Sequence, residues 1–223
     1  MKTNICFQYA VRLSTDEHHL KARDPKQEGG GMSEYDDDYD FWIKNRKTIT
    51  EQRLHPNHWF NRASDLRASA HVLWISMESK DIQQKMGYGG GFSLEVACNP
   101  VYHMLCGLAL ELIMKAVVVQ RSKKVPGIHD LNHLANLAEI SVNPKRKELL
   151  KFYTAAIVWT GRYPVPVKCD DEKLKDYWSL ATSVLTDRVK GHGNLNIRKR
   201  NGAADWDKFQ ALFNEIADEF DFN

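Results

Sequence analysis

The sequence predicts an all-α protein, an antiparallel bundle of five to six helices, and three observations carry that expectation. Apolar residues recur at steps of three and four in several windows. The window 100–120 is apolar on nearly every side. No convincing strand and no internal repeat appears beyond the N-terminal thirty residues.

Each predicted element follows from its residues. From Pro56, the positions Trp59, Ala63, Leu66, Ala70, Leu73 and Met77 form one helical stripe, predicting a helix over about 57–85. Proline suits a first turn, where its missing N–H costs nothing. Gly87-Tyr88-Gly89-Gly90-Gly91 ends the period; with no strand before it and no Lys-Ser/Thr after it, it reads as a connector and not a phosphate loop. Asn99 reads as the N-cap of a central helix from Pro100 to Gln120, the most buried of all. Within it Glu111 and Lys115 stand four apart, in the favourable order for a pair. A buried ion pair is tolerated only when its charges meet each other or a neighbour.

A basic loop from Arg121 to Gly127 follows, and Asp130 stands where a carboxylate caps the helix opened by Leu131. Asn143-Pro144 starts a helix through about Thr160, ended by Gly161 and the extended Arg162-Tyr163-Pro164-Val165-Pro166. Asp170-Asp171 starts another, with Leu174, Tyr177, Trp178, Ala181 and Leu185 on one face. The stretch Lys190–Arg200 reads as a glycine-punctuated basic loop, and Ala203–Glu219 as the last helix. The tryptophans Trp59, Trp74, Trp159, Trp178 and Trp206 fall at apolar helical positions and read as core, and His103 reads as a hydrogen-bonded core histidine.

Composition bounds the function. The chain has 223 residues, 43% apolar and 27% charged, with a net charge of +2, which excludes a strongly basic nucleic-acid coat but not a local patch. No apolar run approaches the ~18 residues of a membrane span, so no membrane association is expected. Cys6, Cys98, Cys106 and Cys169 lack any Cys-x-x-Cys spacing, which argues against a zinc ribbon or a disulfide scaffold and for a reducing cytoplasm. Residues 1–55 read as a poorly ordered extension and 56–223 as the helical domain. Glu28-Gly29-Gly30-Gly31-Met32 suggests that 1–31 is a translated leader with Met32 as the native start, the alternative being a tail with a glycine hinge. The acidic run Glu34–Asp40 lacks the spacing of a calcium loop and reads as solvated.

Three features, in order, resemble the HEPN superfamily of small helical-bundle domains: the Trp59/Ala63/Leu66/Ala70/Leu73 helix, Tyr102–Ala116 with Glu111 and Lys115, and His129-Asp130-Leu131 followed by Arg162-Tyr163-Pro164. The resemblance covers roughly residues 57–190. It implies a HEPN-like fold, a homodimer and, in many members, metal-independent ribonuclease activity from an Arg and a His four to six residues apart. A histidine can move a 2′-hydroxyl proton near neutral pH, and a permanent guanidinium can stabilise the phosphorane-like transition state.

This chain departs from that motif. No His follows Arg162 at the required distance. Arg53 and His58 have the spacing but precede the bundle, and Arg12 with His18 or His19 lies in the suspected leader. Arg188 and His192, one residue short, make the least implausible catalytic pair. His129 and His133, one turn apart, supply only two of the ligands a metal needs, so no metal and no cofactor is implied. The expectation is therefore a noncatalytic HEPN-like protein binding a nucleotide, RNA or a protein partner, with Arg162, Lys123, Lys124, Lys190 and Arg198 as contacts. A nucleotidyltransferase or antitoxin partner within a toxin–antitoxin or defence system fits the resemblance. The alternatives are a ribonuclease with a divergent Arg/His site and a helical protein whose exposed face serves only assembly.

Overall fold

The computed structural model describes residues 41, 43–89, 91–166, 168, 170–189 and 197–222. The suspected leader with Met32, the acidic run Glu34–Asp40, and Cys6, Arg12, His18, His19, Cys169, Lys190 and His192 lie outside the described residues. The chain divides into two units, Met1–Arg46 and Lys47–Asn223. All elements with defined bounds belong to the second unit, which is mostly helical.

A short α1 (Ile49–Arg53) carries a reciprocal cap, Thr48 Oγ1 accepting from the Glu51 N–H while Glu51 accepts from the Thr48 N–H. Helix α2 (Pro56–Glu78) begins at its proline as expected. The single helix predicted over 57–85 is instead two. Ser79 leaves the helical region at φ −97°, ψ 107°, and its Oγ accepts from the Ile82 N–H to cap α3 (Lys80–Lys85). Periodicity alone does not register such a break, because the apolar stripe resumes after it.

Helix α4 (Leu94–Gln120) is the axis of the unit. It starts at Leu94, capped by Ser93, so the expectation that Asn99 caps a helix from Pro100 is corrected. Pro100 sits in the second turn and removes only the hydrogen bond to the carbonyl four residues back. Asn99 is thereby a side chain on a helix face and not a cap. Leu110, Ile113, Met114 and Val117 are fully buried, each contributing roughly 1.5–3 kcal/mol by leaving water. By length and composition alone α4 is long and apolar enough to cross a bilayer, one window of it having a mean hydropathy of 1.7, contrary to the expectation that no such run exists. In the fold it is the core helix, 67% of that window being buried within the protein.

Helix α2 packs along α4 more extensively than any other element. Around them come α5 (Leu131–Leu137), α6 (Pro144–Ala155), α7 (Asp171–Leu185) and α8 (Trp206–Ala217). Asp130 caps α5 as expected, its Oδ1 accepting from the N–H groups of Asn132 and His133 at 2.9 and 3.1 Å. Helix α6 continues as a π-helical turn, Ala156–Thr160. α4 and α6 approach closely at Gly107, where a Cβ would lie 2.8 Å from Ile157 Cγ1 and 2.9 Å from the Tyr153 carbonyl.

The expectation of a wholly sheet-free chain with a basic loop through Arg200 is also corrected. Strands β1 (Thr186–Val189) and β2 (Ile197–Arg200) pair antiparallel, with Asp187 opposite Lys199 and Arg188 opposite Arg198. These strands have four residues each and are largely exposed, so they show no alternation of buried and polar positions. Trp178 corrects a further expectation: it is 58% exposed and not core.

Candidate functional site

Three adjoining cavities open along the N-terminal half of α4, and Asn99 lines all of them. One, of about 290 Å³, is walled by Phe152, Trp159, Tyr163, Tyr177 and Trp178, with His103 and Thr160 among its polar groups. The π-helical turn builds this wall. The wider turn carries Trp159 and Thr160, and the chain then leaves through Gly161, whose absent side chain admits Met104 against its backbone. Trp159 and Tyr177 meet edge to face at 5.1 Å, and Phe152 lies parallel to Tyr177 at 6.2 Å.

His103 is nine-tenths buried and touches Phe152 edge to face at 4.9 Å. Its imidazole has no hydrogen-bond partner among the described residues, which corrects the expectation of a satisfied core histidine. Burial first, and the Arg200 charge second, push its pKa down to about 4, so the ring is neutral near pH 7. A neutral imidazole offers one donor and one acceptor. Asn99, half-buried and one turn earlier on the same face, likewise makes no side-chain hydrogen bond within the described protein.

The adjoining cavity, about 360 Å³, joins His103 to Arg200, Thr182 and Asp205. The outer one, about 470 Å³, adds Trp74, Glu78 and Glu95. Arg200 is not an open cation: its Nη1 donates to Glu95 at 2.6 Å and its Nη2 lies 3.7 Å from Asp205. Carboxylates therefore neutralise this end, which suits it poorly to a phosphate.

The residues expected to contact a ligand do not converge on these cavities. Arg198 spans the end of α7, donating to the Thr182 and Thr186 carbonyls and to Thr186 Oγ1, and so serves as a C-terminal cap. Lys123 is engaged by Glu139 at 2.6 Å and by the Leu137 carbonyl at 2.9 Å. Lys124 and Arg188 are exposed, and neither lines a cavity named above. Arg162 does adjoin the aromatic cavity. It is exposed and has no carboxylate partner among the described residues; its Nη2 donates to the Val158 carbonyl at 2.5 Å, and its guanidinium lies 5.3 Å from the centre of the Tyr163 ring. His129 Nδ1 goes to Glu111, and no group of three or more His, Cys, Asp or Glu suited to a metal occurs among the described residues.

An aromatic wall, two unpartnered hydrogen-bonding side chains and an adjacent guanidinium that meets no carboxylate among the described residues suit a planar ring carrying an anionic group. The sequence held one usable signal for this site, the spacing of Asn99 and His103 on one face of a largely apolar helix. No family model, no curated protein and no solved structure matches the chain.

Proposed function

We propose that this protein is a HEPN-like helical-bundle domain that binds a nucleotide or an unpaired RNA base without cleaving it. The ring stacks in the aromatic cavity and the phosphate meets Arg162. One observation carries the reading: Tyr163 both walls the cavity and lies under the Arg162 guanidinium, so stacking surface and cation stand side by side. The order of motifs along the chain and the helical content support the HEPN-like assignment. A homodimer, and a nucleotidyltransferase or antitoxin partner, extend the same reading; light scattering on the purified protein tests the first.

Titrating nucleoside monophosphates while following tryptophan fluorescence tests the function, because Trp178 and Trp159 wall the cavity. Binding should quench the signal and weaken with salt, and Arg162→Ala should lower affinity about tenfold or more. Wild-type affinity in both Arg162→Ala and Trp178→Ala would overturn it.

A metal-independent ribonuclease is the second reading, favoured by one observation: His103 and Arg200 line the same cavity. Glu95 and Asp205 beside Arg200 count against it. RNA cleavage in the presence of a chelator, lost in His103→Phe, would establish it over the first.

A further inference from the structure

The aromatic cavity carries more information than a stacking surface needs. Stacking alone is indifferent to the edge of the ring, since every base has a π-face. Yet Asn99 and His103 bring polar edges to this cavity, and neither has a partner among the described residues. A polar edge facing a cavity is free to bond a ligand that offers the complementary group. His103 is nine-tenths buried, and its ring nitrogens remain accessible at the cavity, where a ligand can meet them.

The wall also constrains charge. Of the residues lining this cavity none is Asp, Glu, Lys or Arg, and the imidazole is neutral near pH 7. An ionised ring would enter without a counter-charge, at high desolvation cost. An uncharged ring with a donor and an acceptor on one edge meets no such penalty.

We infer that Asn99 and His103 are the specificity-determining residues of this cavity, reading the hydrogen-bonding edge of an uncharged heterocyclic base. The amide of Asn99 supplies donors and an acceptor, the imidazole of His103 one of each, and their spacing of four places both on one helix face. This inference rests on the nucleotide reading above and adds selectivity to it. A site built to hydrogen-bond its ligand rejects an analogue lacking those groups far more strongly than an apolar pocket does.

The experiment compares five probes: adenosine, guanosine, cytidine and uridine monophosphates, and phenyl phosphate, which keeps ring and anion but has no polar edge. In the wild-type protein at least one nucleotide should bind about tenfold or more tightly than phenyl phosphate. Asn99→Ala, at a half-buried position, should bring them within about threefold by a selective loss of nucleotide affinity. His103→Phe should act in the same direction, with circular dichroism verifying its fold; if it fails to fold, Asn99→Ala decides alone. Equal binding of all five probes to the wild type, or an unchanged ratio in Asn99→Ala, overturns the inference while leaving the nucleotide reading standing. Failure of every probe to bind overturns both.

Discussion

His129 Nδ1 lies 2.9 Å from Glu111 Oε2, joining the start of α5 to the middle of α4 across 18 residues of chain. The other carboxylate oxygen of Glu111 accepts from Lys115 Nζ at 2.7 Å, so one buried acid holds two cationic or donor groups. Glu111 is 3% exposed and Lys115 6%, which makes their mutual satisfaction a condition of α4 being the core helix.

Removing one partner strands the other. Lys115→Met should destabilise the fold by about 3–5 kcal/mol, and Glu111→Leu by a similar amount, because each leaves a buried charge without its full complement. The double variant should recover much of that loss, since a well-packed apolar pair is often neutral. Urea unfolding followed by circular dichroism measures all three, and additive losses would contradict the coupling.

His103 ties stability to acidity. Its pKa falls to about 4 in the fold, against about 6.5 for an unperturbed histidine. Between those values the unfolded chain binds more protons, so stability rises with pH across that window, by on the order of 3 kcal/mol, and is fully present above it. His103→Phe should flatten this part of the profile, read as the difference in Tm between pH 4.5 and pH 7, each about a point within or above the window.

The contact at Gly107 leaves no room for a methyl group. A Cβ there would press on the Tyr153 backbone carbonyl and on Ile157, and backbone cannot yield as a side chain does. Gly107→Ala should cost about 1–3 kcal/mol in the same unfolding assay, the range typical of overpacking. A more stable variant would mean that α4 and α6 are free to separate.

Two arginines expected to share a role should part company. Arg198→Ala should lower Tm, because it removes the cap on the end of α7, yet leave nucleotide affinity within about twofold of wild type. Arg162→Ala, which removes one bond to the Val158 carbonyl, should lower Tm less than Arg198→Ala and lower nucleotide affinity about tenfold or more. A matched calorimetric pair of melting and titration experiments distinguishes them.

Local chemistry wrote much of this protein directly into its sequence. The α2 stripe, the caps Asp130, Asn143 and Asp170, and the Glu111–Lys115 pair each depend on residues within four positions, so periodicity and spacing reveal them. The hairpin and the break at Ser79 escaped because four-residue strands and a single capping serine leave no period to read. The tryptophans followed one pattern but met different fates: Trp206 is 9% exposed and Trp178 58%. Position on a helix face decides which way a side chain points, but only the packing of α7 against α6 decides whether anything covers it. The candidate site is of that second kind. Asn99, His103, Trp159, Tyr163 and Trp178 come from three segments far apart in the chain, and chain order says nothing of which surfaces will enclose a space. Most of the helices were thus legible in the sequence alone, through hydrogen bonds and apolar steps a few residues long, although the break at Ser79 and the start of α4 at Leu94 were not. The cavity and its unpartnered imidazole were decided only when distant helices met.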